Sequence, residues 1–389
     1  MKKEEILKII KEIKESIGKE RVDKIIDFYE RGDARKYIEY LSLKRDLKLK
    51  SVHRTTLYGW KKGRKPDAIK ALISIHRNNF HKIDKRVLSR LIGYGFGDGG
   101  INKKFQRYFI CGKKEDLENI SQYIKKNIPK VKPIIEKNNG SGSITNSNKE
   151  TRYIKGGKSW ILSIKNAIFS RFLHSLDLPN GQKVLQKTNI PKWIKKSNNK
   201  IKIEFLEGIL EGENQKHRVK FIAEKNKIEI PTISMGFGKE IKYKSNLIEF
   251  LSSIKDLLEE FDIKCGNVEE VKLSNIRKRD GKITCFSRFH IYSSALNVIK
   301  FSRIIKYRFN EEKRLALNIA INEAKTKLKR FETQKEKFKE ASKLFNQGMN
   351  YSQIARELDV SHITIKNWVV KKEHLPRHLN IDLGGFING

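Results

Sequence analysis

Asp98 and Glu213 each follow two glycines spaced four residues apart on a short apolar segment. The first segment is Leu91-Ile-Gly-Tyr-Gly-Phe-Gly-Asp98-Gly99, with Gly93 and Gly97. The second, Leu206-Glu-Gly-Ile-Leu-Glu-Gly-Glu213-Asn214, carries Gly208 and Gly212. Residues i and i+4 share one face of a helix, so each glycine pair leaves a flat strip on which another backbone can lie. Two such helices packed together would bring Asp98 and Glu213 side by side at the base of their interface. Paired carboxylates suit a hard divalent cation, Mg2+ first among them. Phosphodiester hydrolysis needs a water made nucleophilic near neutral pH and positive charge where charge develops at phosphorus, which a metal and a nearby lysine can provide. An acid just after a helix is most often a cap or a turn, but equivalent acids in two repeats are poorly explained that way.

Composition narrows the substrate. The 389 residues hold 84 Lys and Arg against 45 Asp and Glu, a formal net charge of +39. That excess far exceeds what solubility needs and predicts strongly salt-dependent binding of DNA or RNA. A biased or thermophilic source explains Lys over Arg, but such bias normally raises Glu as well. Cys111, Cys265 and Cys285 are odd in number and lack C-x-x-C spacing, which argues against a disulfide framework or a zinc ribbon. His374 and His378 have ligand-like spacing but no cysteine nearby, and they read as surface residues. There is no run of 18 apolar residues and no signal-peptide core after Met-Lys-Lys-Glu-Glu. A soluble, cytoplasmic protein without a membrane partner is expected.

The elements that must position the acids repeat. Residues 84–195 alternate a helix near 85–97, a strand at Gln106–Gly112, a helix at Lys114–Asn127, a loop at Asn138–Asn148, a long strand at Tyr153–Ile164 and a helix from Asn166 to about Leu176. Residues 196–312 follow the same order: a helix at Ile201–Gly212, strands at Arg218–Ile222 and Ile228–Ser234, a helix at Lys242–Phe261, strands at Gly266–Ser274 and Lys282–Tyr292, and a helix at Ala295–Ile305. Self-similarity at about 115 residues indicates a duplicated α+β unit with a pseudo-two-fold axis, which removes the need for a dimer and predicts a monomer. Residues 1–80 read as helical. Within them Ser51 can cap a helix in which Val52, Leu57 and Trp60 face inward, while His53, Arg54, Thr55 and Tyr58 face outward like the recognition half of a helix-turn-helix. Residues 313–343 form a charged helical linker. In 344–389, Ser352 and Ser361 cap two short helices joined at Asp359-Val360, with Ile354, Ala355, Leu358, Ile365 and Trp368 inward. His362, Thr364, Lys366 and Asn367 lie on or beside the outward face of the second helix, where a recognition helix meets the major groove.

The two motifs and their surroundings resemble the LAGLIDADG homing endonucleases in their single-chain, two-motif form. The resemblance covers about 84–312. Trp160-Ile-Leu-Ser-Ile-Lys165 through Leu178-Pro179 is similar to the family's closing strand and helix. Thr188-Asn-Ile-Pro-Lys-Trp193-Ile resembles the lead-in to the second motif, and Ile291 through Lys313 the end of the second half. It implies a saddle of two αββαββα halves, a two-helix seam, antiparallel strands along the major groove and cleavage of both strands of a long duplex DNA site with Mg2+. It also implies that Asp98 and Glu213 bind metal and that Lys165 assists catalysis. Lys103, Lys104, Arg107, Arg152, Lys155, Lys158, Lys216, Arg218 and Lys220 flank the strand candidates and fit phosphate contacts.

Four positions depart from the family pattern. Ser294 stands where the second half would match Lys165, Asn214 replaces the usual glycine, and Phe96 and Glu211 alter the motif cores. Unequal active sites that nick one strand are one consequence, and lost cleavage with DNA binding retained is another. Three readings therefore stand: a site-specific endonuclease, a DNA-binding regulator descended from one, and an RNA-binding splicing helper. The Met at residue 1 and the Gly-Gly-Phe-Ile-Asn-Gly389 ending lack the groups that protein splicing uses, so a free-standing protein is expected.

Overall fold

A computed structural model describes residues 2–29, 33–43, 52–138, 142–145, 151–154, 159–213, 219–222, 227–277 and 280–387. The architecture is α+β. Five helices come first: α1 (Lys3–Ile17), α2 (Lys19–Tyr29), α3 (Asp33–Leu43), α4 (Arg54–Lys61) and α5 (Asp67–Arg77). Isoleucines at helical spacing on α1 (Ile6, Ile9, Ile10, Ile13 and Ile17) are all buried, against Ile69, Leu72 and Ile75 among others. Trp60 on α4 is buried, with its ring 5.4 Å from that of Tyr37. This helical unit does not stand apart. Phe80 meets Phe169 edge-on and stacks on Phe172, and one continuous apolar core runs from Ile6 to Leu317.

The central region continues with α6 (Lys85–Phe96), β1 (Gly99–Ile101), β2 (Tyr108–Gly112), α7 (Lys114–Asn127), β3 (Pro133–Lys137), β4 (Gly142–Thr145), β5 (Thr151–Ile154), β6 (Trp160–Ile164) and α8 (Ala167–Ser175). After α9 (Lys192–Lys195) come α10 (Asn199–Glu213), β7 (Lys220–Ile222), β8 (Lys227–Glu229), β9 (Ile233–Glu240), α11 (Lys244–Glu259), β10 (Glu269–Ile276), β11 (Ile283–Ile291) and α12 (Ala295–Ile304). The first sheet has the order β1-β2-β6-β3 and the second β10-β11-β9, antiparallel throughout. In both, the last strand lies between the strand before the long helix and the strand after it: β6 between β2 and β3, β11 between β9 and β10. The sheets are unequal, four strands against three, and β4-β5 and β7-β8 pair as separate ribbons.

Several expected boundaries move. The stretch read as a loop at Asn138–Asn148 contains β4, which pairs with β5. The single strand expected over Tyr153–Ile164 is two, β5 and β6, because β5 turns back on β4 while β6 enters the main sheet. Likewise Ile228–Ser234 divides between β8 and β9. The charged stretch is α13 (Glu311–Asn346), whose first turn is part of the central region, with Lys313 buried. Its Ala320, Ala324 and Leu328 pack on Val298 and Ile299 of α12.

Beyond it, α14 (Tyr351–Glu357) and α15 (His362–Lys366) form a small helical unit, followed by a wider turn through Asn367–Lys371 and by α16 (Gly384–Ile387). Its core is separate: Ala341, Ile354, Ala355, Ile365 and Trp368. Asn350, not Ser352, caps α14, because its side chain accepts from the backbone of both Ser352 and Gln353. Ser361 caps α15 as expected, and Asp359 takes the left-handed turn at φ 49°. Among the described residues, no helix is long and apolar enough to cross a membrane.

Candidate active site at the foot of the glycine seam

Helices α6 and α10 pack face to face, and the glycines are the reason they can. A Cβ on Gly93 would sit 2.4 Å from the Phe205 carbonyl oxygen, and one on Gly208 would sit 2.4 Å from that of Arg90. These reciprocal contacts leave no room for any side chain. Lower down the fit relaxes: a Cβ on Gly97 would meet the Ile209 carbonyl at 3.3 Å, and one on Gly212 would meet the Asp98 amide nitrogen at 2.9 Å.

Polar groups flank this seam. Arg90 is fully buried on α6 and pairs with Glu204, Glu207 and Glu211 of α10, while Tyr94 donates a hydrogen bond to Glu211. The same acids accept from the backbone of Lys306 and Phe309 and from Arg308. Burial opposes the charge on Arg90, but the surrounding Tyr94 and carboxylates hold its pKa above the ordinary value. Glu211 is thus a structural partner of Arg90. Phe96, the other departure in the motif cores, stacks 5.4 Å from Phe250 in the core of the second half.

Asp98 and Glu213 emerge together where the helices end. The space that a Cβ on Gly97 would take adjoins the Glu213 side chain at 3.6 Å, and that of Gly212 adjoins the Asp98 Cβ at 3.5 Å. Asp98 lies at the surface and is tied to β2 by the Cys111 N–H, which donates to its carbonyl at 3.1 Å; Glu213 is half-buried. The protein packed around them partly desolvates both carboxylates and raises both pKa values; with Asp98 adding its charge, Glu213 reaches about 7. Among the described residues neither carboxylate is in a hydrogen bond or ion pair, which leaves oxygens of the kind that a hard divalent cation takes.

Two lysines stand beside them, and neither was singled out as a site residue by sequence pattern. The Lys183 ammonium donates to the carbonyls of Gly95 (3.1 Å), Phe96 (2.6 Å) and Gly97, the end of α6. The Lys313 ammonium donates to those of Leu210 (3.1 Å), Glu211 (2.7 Å) and Gly212 (3.2 Å), the end of α10. Each lysine caps the negative end of a helix dipole. Burial lowers both pKa values to about 8, against the pull of Asp98 and Glu213. The segment bearing Lys183 is pinned by Lys239, which donates to the Gln186 carbonyl (2.9 Å), Thr188 Oγ1 (2.7 Å) and Asn246 Oδ1 (2.7 Å).

Lys165 lies elsewhere. It is exposed and paired with Glu136 at 2.6 Å. It follows Ile164, which faces Tyr108, at the opposite end of β2 from Cys111 and hence from Asp98. Ser294 marks the start of α12. Of the expected DNA contacts, Lys103, Lys104 and Lys220 are exposed, and Arg107 lies over the Phe109 ring at 5.4 Å. Arg152 is on β5; Lys155, Lys158, Lys216, Arg218 and also Asn214 lie outside the described residues. Arg54, Thr55 and Tyr58 project outward on α4, where His53 rather than the undescribed Ser51 precedes the first turn. On α15, His362 and Lys366 are exposed and Thr364 is half-buried against Ser361; Asn367, just beyond, is half-buried.

No family model matches the chain. It is 30% identical over 281 residues to the tRNA-splicing ligase RtcB of Methanocaldococcus jannaschii, covering 69% of this chain and 27% of that protein. To the replication factor C small subunit of the same organism it is 29% identical over 227 residues, covering 58% of this chain and 11% of that one. The RtcB of Pyrococcus abyssi is 25% identical over 203 residues, covering 50% and 19% respectively. The chain therefore spans between 11% and 27% of the length of these relatives. Among solved structures, the match to the homing endonuclease I-WcaI bound to its DNA recognition sequence covers 72% of this chain and 96% of that chain at 13% identity, with a TM-score of 0.33.

Proposed function

We propose that this protein is a metal-dependent, site-specific DNA endonuclease built from two related halves of the LAGLIDADG type. The observation that carries the reading is the approximate two-fold repetition at the foot of the seam: one carboxylate and one helix-capping lysine from each half. The shared strand order of the two sheets, with the last strand central in both, supports descent from a duplication. Matches to a ligase and to a replication factor overlap on this chain yet occupy only 27% and 11% of proteins with different names. That one segment matches small parts of two differently named proteins favours a function of its own.

Asp98 and Glu213 would hold Mg2+, which when bound supplies a more acidic water and neutralises charge at phosphorus. Lys183 and Lys313 would face the scissile phosphates from the two sides, placing fixed positive charge where negative charge develops. Because each ammonium is already held by three carbonyls, it needs little reorganisation as the reaction proceeds. Lys103, Lys104, Arg107 and Lys220 would hold the DNA backbone, and α15 would reach a flanking major groove.

The test is cleavage of a plasmid library with randomised inserts in Mg2+, with the wild type beside the Asp98→Asn/Glu213→Gln double variant. Cuts at a common sequence made only by the wild type support the nuclease. Intact DNA retained selectively by both proteins leaves a DNA-binding regulator, and preference for structured RNA at matched salt leaves a splicing helper.

A further inference from the structure

The N-terminal helical unit contains a second cluster of metal-ligand chemistry, distinct from the acids of the seam. Glu12 on α1, His76 in the last turn of α5 and His81 in the turn leading to α6 each offer one ligand atom, and the three atoms lie within 4.8 Å of one another. His76 Nε2 and Glu12 Oε2 are 2.9 Å apart. The two imidazoles stack at 4.9 Å with 12° between their planes.

His81 is the telling residue. It is 4% exposed, and neither ring nitrogen is in a formed hydrogen bond. Burying an imidazole without partners is costly, and native folds seldom tolerate it. Burial and the neighbouring His76 lower its pKa. Two nitrogens and one carboxylate oxygen suit a borderline divalent ion of the Zn2+ class better than Mg2+ or Ca2+. The side chains of His76 and Glu12 are 26% and 35% exposed, which leaves a route for the ion and a position for water.

We propose that Glu12, His76 and His81 form a binding site for one Zn2+-class ion that clamps α1 to the turn entering α6. The Ser16 hydroxyl already donates to the His81 carbonyl across the same junction, and Phe80 anchors the turn on Phe169 and Phe172. The ion would tie the helical unit to the turn that enters α6, the helix that ends just before Asp98. This site is independent of the nuclease reading, since none of its residues touches the seam.

The experiment titrates ZnCl2 into chelator-stripped full-length protein in competition with a chromophoric zinc indicator. It compares the wild type, Glu12→Gln/His76→Gln, and Asp98→Asn/Glu213→Gln. Both substituted positions of the first variant are partly exposed, and circular dichroism checks its fold; Glu12→Gln alone serves if the pair unfolds. The expected result is one equivalent bound at least about tenfold more tightly by the wild type and by the seam variant than by the Glu12/His76 variant. A zinc-dependent rise in melting temperature should follow the same division. Equal zinc uptake and equal melting shifts in all three proteins would overturn the proposal, because other histidines and the cysteines would then account for the binding.

Discussion

Lys183 and Lys313 take matching places on the two sides of the foot of one interface. The first caps Gly95, Phe96 and Gly97 at the end of α6, and the second caps Leu210, Glu211 and Gly212 at the end of α10. Counted back from Asp98 and Glu213, the three capped carbonyls are the same three positions. Each ammonium is fixed by its own half's helix while both carboxylates pull on it, so the lysines and acids form one electrostatic unit.

This equivalence predicts the effect of removing either lysine. Lys183→Met and Lys313→Met should each slow cleavage by about 10²–10³-fold with little change in DNA affinity, as expected for lost transition-state charge stabilisation. If each lysine serves one strand, nicked circles should accumulate with either variant. Lys165→Met should cut within about twofold of wild type, since its ammonium is engaged by Glu136 at the surface. Gel-resolved single-turnover kinetics separates these outcomes.

Cleavage should show a narrow pH optimum. Metal binding needs both carboxylates ionised, so Mg2+ affinity should fall as pH drops through about 7, where Glu213 of the metal-free site takes up its proton, and activity at limiting Mg2+ should fall with it. It should fall again above about 8 as Lys183 and Lys313 lose their charge. Stability runs in a definite direction too. A carboxyl whose pKa is raised in the fold binds its proton more tightly folded than unfolded, so its stabilisation is lost as pH rises from about 4.5 through 7. Without metal, Glu213→Gln should therefore be more stable than wild type at pH 8, by about 3 kcal/mol at most, and equal to it near pH 4. Thermal unfolding across that range checks the sign.

Gly93→Ala and Gly208→Ala should each destabilise the protein by about 1–3 kcal/mol or more, because the new methyl meets a backbone carbonyl of the facing helix. Gly97→Ala should cost less, and Gly385→Ala, which meets nothing within 4 Å, should be near neutral. Denaturant titration of the four variants gives the ranking.

These glycines were the most legible part of the site, because backbone contact at helical spacing leaves a mark that a single sequence displays. The acids at their ends were legible for the same reason. Lys183 and Lys313 were not, since a lysine that reaches back to cap a helix from a distant turn looks like any other in a chain with 84 basic residues. A signal did exist: each follows the closing helix of its half, α8 or α12, after a short turn, so overlaying the halves beyond those helices would have paired them. Lys165 lies toward the other end of β2 from Asp98, because strand register decides which end of a sheet a residue meets, and register is not visible in local spacing. The ribbon β4-β5 was missed because Gly, Ser and Asn between strands read as a loop.

DNA affinity should fall steeply with salt, as the net charge requires. Lys366→Ala on α15 should reduce the slope of log K against log salt by about 1 if that helix touches phosphate. An unchanged slope would place α15 off the DNA.

The central claim is that Asp98 and Glu213 share a divalent ion, and it can be tested without knowing the DNA target. Mn2+ binding to the full-length protein at pH 8, followed by electron paramagnetic resonance in the presence of a non-specific duplex, reads the site directly. The wild type should take up Mn2+ that Asp98→Asn/Glu213→Gln does not, with Glu12→Gln/His76→Gln behaving as wild type at the seam. Identical Mn2+ uptake by the wild type and the Asp98/Glu213 variant would contradict the account.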